Sequence, residues 1–98
     1  MSASADTDLE VIAREAVRRV TGQDLAEQVQ VMAGEDSADR PALFFSFMID
    51  RPQDRQRVGL LHTRLTQMLR DLLIDKNVGE YPIVEIVSRA DWEQRTGA

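Results

Sequence analysis

An α+β fold, a two-layer α/β sandwich of order α-β-β-α-β(-α), is what the 98-residue sequence predicts, and three observations carry the prediction. Two long stretches space their apolar residues at three- and four-residue steps, the mark of an amphipathic helix. Three short stretches either alternate polar with apolar residues or run almost wholly apolar, as strands do. Clusters rich in Gly, Pro, Asn and Asp separate them. Together these features predict a three-stranded mixed sheet with two main helices packed mainly on one of its faces.

The first helix is expected over residues 8–21. Leu9, Ile12, Ala13, Ala16, Val17 and Val20 fall along one stripe of a 3.6-residue period. Thr7 with Glu10 has the spacing of a capping box, and Gly22 supplies a left-handed stop. On the outer face Glu10 with Arg14, and Glu15 with Arg19, have the favourable acid-first order. Residues 1–6 are expected as a disordered N-terminal tail, and residues 7–98 as a single globular domain.

Residues 27–33 (EQVQVMA) alternate as a half-exposed strand does, and residues 34–41 (GEDSADRP) are dense in turn formers. The next strand, residues 42–49 (ALFFSFMI), is apolar on both sides of its alternation. Leu43, Phe45, Phe47 and Ile49 point one way, Ala42, Phe44, Ser46 and Met48 the other, which suits a central strand. Asp50, Arg51 and Pro52 break it. A long helix is expected over residues 53–76, its stripe formed by Val58, Leu61, Leu65, Met68, Leu69, Leu72 and Leu73, with Asn and Gly ending it in residues 77–80. A third strand follows over residues 81–88, reached by a crossover and therefore parallel to the second. Ser88, with Asp91 three residues on, is suited to cap a short last helix that carries Trp92, the only tryptophan.

Composition excludes several classes of function. With no cysteine there are no disulfides, thiolate metal sites or cysteine nucleophiles, and a single histidine, His62, rules against a tight zinc site. His62 sits at the edge of the leucine stripe and is expected as a packing residue. No nucleophile elbow is present, and the five glycines do not cluster into a phosphate loop. Glu35, Asp36 and Asp39, with help from Glu85, are the residues to consider for a magnesium ion, but they lack EF-hand spacing and read better as a solvated loop. No catalytic, metal or cofactor site is therefore expected.

The net charge of -5 argues against bulk binding to nucleic acid, where neutralising phosphates supplies the affinity. The charge is uneven, however. Residues 51–70 hold Arg51, Arg55, Arg57, Arg64 and Arg70 against Asp54 alone. Arg51, Arg55, Arg57 and Arg64, at the start of the second helix, are the candidates for an anion or nucleic-acid contact. Arginine outnumbers lysine eleven to one, which points to a GC-rich, bacterial genome. The chain opens without a basic-then-apolar leader, and its longest nearly uninterrupted apolar run, residues 42–49, is far short of the ~20 residues that span a bilayer. A soluble cytoplasmic protein is expected.

The element order has some similarity to the KH class of RNA-binding modules, in order alone. The GxxG loop of that class is absent here, and its function is not carried over.

If both helices cover one sheet face, the other face is left apolar. The candidates for that surface are Phe44, Phe45, Phe47, Met48, Ile83, Val87 and, beyond the sheet, Trp92. The expected function is that of a non-catalytic protein–protein interaction module, a homodimer through the apolar sheet face. The alternatives are an anion- or nucleic-acid-binding module using the arginines, and an acidic antitoxin- or immunity-type inhibitor of a basic partner.

Overall fold

The computed structural model describes residues 2–49 and 55–96, with side chains from 8 to 49 and from 57 to 95. Among these residues the order is α1 (Ser2–Thr21), β1 (Gln28–Glu35), β2 (Pro41–Met48), α2 (Arg55–Asp75), β3 (Tyr81–Val87) and α3 (Arg89–Thr96). The fold is α+β with a three-stranded mixed sheet, as the patterning predicts. β2 lies in the centre, antiparallel to β1 and parallel to β3.

The helix ends show how local chemistry sets the boundaries. α1 stops where Gly22 takes a φ of 78° and its N–H donates to the Arg18 carbonyl at 2.8 Å. α2 stops in a Schellman arrangement: Asn77 has a φ of 59°, and the Val78 N–H reaches back to the Leu73 carbonyl at 2.9 Å. Asn77 alone makes this turn, without Gly79 adopting a left-handed conformation. α1 begins earlier than its pattern suggests, taking in residues 2–6, so Thr7 lies inside the helix and not at its N-cap. The reason is simple: no Gly or Pro in residues 2–7 interrupts it. The expected ion pairs form, Glu10 with Arg14 at 3.5 Å and Glu15 with Arg19 at 2.9 Å, each contributing about 0.2–0.5 kcal/mol.

Both long helices lie on one face of the sheet. That face carries Val29 and Val31 from β1, Leu43, Phe45 and Phe47 from β2, and Val84 and Ile86 from β3. Against it pack Ala13, Ala16 and Val17 of α1 and Leu65, Leu69, Leu72 and Leu73 of α2. The rings of Phe45 and Phe47 stack with centroids 6.4 Å apart, and both residues are 0% exposed. Each such side chain contributes roughly 1.5–3 kcal/mol by leaving water, so this face is where the fold gains its stability. No described helix is long and apolar enough to cross a membrane.

Two boundaries differ from the pattern in an informative way. Gly34 and Glu35 belong to β1 and Pro41 to β2, so the loop between the strands shortens to residues 36–40. Gly34 is tolerated in the strand because the Phe44 ring lies against it: a Cβ placed there would stand 3.1 Å from Phe44 Cε2. The break expected at Asp50, Arg51 and Pro52 lies outside the described residues.

Candidate protein–protein interface

Strand register turns the second sheet face into four rows of side chains running across the strands. From one end these are Gln28–Met48–Val87, Gln30–Ser46–Glu85, Met32–Phe44–Ile83 and Gly34–Ala42–Tyr81. Directly opposed residues on neighbouring strands sit within contact range, so each row is a physical unit.

The two outer rows are closed off within the chain. At one end α3 is tied back to the sheet by two ion pairs. Its first turn is tied to the entry of β1 by Arg89, which donates from Nη2 to both Glu27 carboxylate oxygens at 2.8 Å. Its last turn is tied to β3 by the ion pair of Arg95 with Glu85. In this row Met48 and Val87 are buried at 4% and 8% exposure. The Asp91 N–H donates to Ser88 Oγ at 3.2 Å, the N-cap expected of that serine. Trp92 is half-buried in this helix, with its backbone N–H on the Ser88 carbonyl at 3.0 Å.

At the other end Tyr81 closes the last row. Its hydroxyl donates to an oxygen of Asp36 in the hairpin loop, and Ala42, the middle residue of this row, is wholly buried. Asp36 organises that loop. Its carboxylate accepts the backbone N–H groups of Ala38 at 2.8 Å and Arg40 at 2.9 Å, and Arg40 Nε at 3.1 Å. The Arg40 guanidinium also lies over the Tyr81 ring, 5.5 Å from its centroid. The Tyr81 hydroxyl above all, then the loop N–H groups and the Arg40 charge, hold the Asp36 pKa down at about 2. The same bond pushes the Tyr81 hydroxyl above its ordinary value.

What stays open is the third row. Met32 is 57% exposed, and Phe44 and Ile83 beside it are half-buried. Its neighbour on the α3 side is polar: Ser46 donates to Glu85 at 3.2 Å, and the Arg95 and Ser46 bonds together hold the Glu85 carboxyl below its ordinary range, Arg95 having the larger effect. The open surface is thus an apolar bar three strands wide, bordered by Gln30, Ser46 and Glu85 on one side and by the Tyr81 cluster on the other.

The residues singled out in the sequence divide accordingly. Phe44 and Ile83 lie in the open bar. Met48 and Val87 lie on the same face but are buried. Phe45 and Phe47 point to the opposite, helix-covered face and form the core, so they present nothing to a partner of the folded chain. Met32 was not among the candidates. Its one signal was an apolar side chain in phase with Gln28 and Gln30, on the polar side of the β1 alternation.

Among the arginines, Arg57 and Arg64 are exposed on α2, one of them with a partner already. Arg51 and the Arg55 side chain lie outside the described residues. The acids considered for a metal do not converge: among the described residues no group of three His, Asp or Glu side chains is placed to hold an ion. His62 contacts the sheet, its Nε2 donating to the Val84 carbonyl at 2.8 Å. A groove of about 680 Å³ lies between the start of α1 and the loop after α2, lined by Leu9, Val11, Ile12, Leu43 and Val78 with a polar rim. Asp8, Lys76 and Glu80 line that rim.

Compared with known proteins, the chain matches no family model, no curated protein and no solved structure. The geometry of its own surface therefore carries the functional argument.

Proposed function

We propose that this protein is a small non-catalytic protein–protein interaction module that associates with a second copy of itself through the open face of its sheet. The observation that supports this reading is the Met32–Phe44–Ile83 row, three apolar side chains aligned across all three strands and left uncovered between two rows that the chain closes itself. An apolar patch on a monomer is typically of order 300–600 Å², while a stable complex buries roughly 800 Å² on each partner. The row is accordingly the centre of the contact, with Gln28, Gln30, Glu85 and Tyr81 as its polar rim. Two copies related by a two-fold axis present the same row to each other, the commonest way in which a single surface patch is satisfied.

The test is native mass by size-exclusion light scattering. The reading expects at least twice 11.1 kDa, reduced by Phe44→Asp, which sets a charge at the middle of the row. A mass of 11.1 kDa at all accessible concentrations, or an associated mass indifferent to Phe44→Asp, overturns it.

A further inference from the structure

The two edges of the sheet are not alike. The Ile49 N–H donates to the Val87 carbonyl at 3.1 Å, which sets the phase of the β2–β3 ladder: odd-numbered residues of β2 and β3 turn their backbone groups toward each other. Even-numbered residues of β3, Pro82, Val84 and Ile86, therefore face outward. This edge is guarded. Pro82 has no N–H to offer, and the Val84 carbonyl is occupied by His62.

The same phase carries across to β1. Even-numbered residues of β2 face β1, so even-numbered residues of β1 face β2, a pattern continued by the Asp36 N–H on the Arg40 carbonyl at 3.0 Å. Val29, Val31, Ala33 and Glu35 then turn their N–H and C=O groups to the free edge. Among the described residues nothing is bonded to them there. Along most of its length this edge lacks the usual deterrents to strand pairing: residues 28–34 (QVQVMAG) contain no charge and no proline, and Glu35 at the strand's end is its one charged residue. One long edge is thus open, and the other is guarded at Pro82 and Val84.

We infer that β1 is a second contact surface, on which the β1 strand of another copy pairs antiparallel, edge to edge. A second copy is the occupant that fits. An antiparallel pair about a two-fold axis matches each outward N–H with an outward C=O of the identical strand. The phase requires odd residues to pair with odd. The register centred on Met32 does this, setting Val31 against Ala33 of the second copy and opposing no two like charges. Because β3 is guarded, each chain has a single edge to give, and strand pairing closes at two copies without running on into a fibre. This contact is separate from the face contact proposed above; it shares with it Met32 and, at the rim, Gln28 and Gln30 of β1.

Amide hydrogen exchange read by NMR on dilute and concentrated samples tests it. The Val29, Val31 and Ala33 amides are expected to slow by at least about tenfold on concentration, while Gln28, Gln30 and Met32, bonded to β2 in either state, stay protected throughout. Ala33→Pro removes one outward N–H without touching the β1–β2 ladder, and the concentration-dependent slowing at Val29 and Val31 is expected to vanish in it. If the protein self-associates while the odd-numbered amides exchange as fast concentrated as dilute, edge pairing is overturned and the face contact stands. If those amides are already slow at the lowest concentration, the edge is covered within the chain and the inference fails. A monomer at every concentration overturns both contacts.

Discussion

Tyr81, the first residue of β3, donates its hydroxyl to Asp36, 45 positions earlier in the β1–β2 loop, and so ties the two ends of the sheet's outer row across the central strand. This bond makes the loop sensitive to acid. The Asp36 pKa in the folded protein, about 2, lies below its ordinary 3.8, so the carboxylate contributes stability that is present in full above 3.8 and lost as pH falls toward 2. Thermal melts of the wild type should decline through that window, and melts of Asp36→Asn should be lower above it and flatter within it. A carboxyl ¹³C titration that places Asp36 at its ordinary value would contradict the contact. Tyr81→Phe should move that midpoint upward.

Adjacent phenylalanines should behave oppositely. Phe45 is wholly buried in the core, and Phe45→Ala should cost about 3–5 kcal/mol in denaturant unfolding. Phe44, one residue earlier on the other face and half-buried, should cost well under that when truncated to alanine. Similar losses at the two positions would mean that the faces are assigned wrongly.

Gly34 sits under the edge of the Phe44 ring, with room for a Cβ only at 3.1 Å. The ring is partly exposed and can give by a few tenths of an ångström, while alanine restricts the unfolded chain more than glycine does. Gly34→Ala is therefore expected to stay within about 1 kcal/mol of wild type. Gly34→Val, which adds two methyls to the same spot, should cost about 1–3 kcal/mol and shift the Phe44 ring resonances. Unmoved ring resonances in the valine variant would refute the contact.

Ser88 holds the first turn of α3. Ser88→Ala should cost about 1 kcal/mol and speed exchange at the Asp91 amide, which loses its acceptor. A shift of Trp92 emission toward the red is expected with it, because the half-buried ring depends on that helix. An unchanged Asp91 exchange rate would show that the cap is not what holds the turn.

Much of this architecture is legible in short-range pattern. The stripe Leu65–Leu69–Leu72–Leu73, the stop at Gly22, the Asn77 turn and the Ser88 cap each depend on residues within one or two helical turns of each other, and each appears where its spacing puts it. Thr7 shows the limit of such signals. A good cap residue does not start a helix when the residues ahead of it are equally willing to be helical.

The alternation of β2 established two apolar faces but not which of them the helices cover, since Phe45 and Phe44 are equivalent in a strand read alone. That choice rests on the fit of the Phe45 and Phe47 rings against Ala13, Ala16, Leu65 and Leu69, a matter of shape between segments far apart in the chain. The Met32–Phe44–Ile83 row, the reach of Tyr81 to Asp36 and the guarding of β3 by His62 depend likewise on register. A one-residue slip of β3 would dissolve all three, and one of β1 the first two, while leaving every local pattern intact. Periodicity and caps thus specify the elements, because they act within a few residues. Only packing between distant elements selects the register, and with it the surface left open.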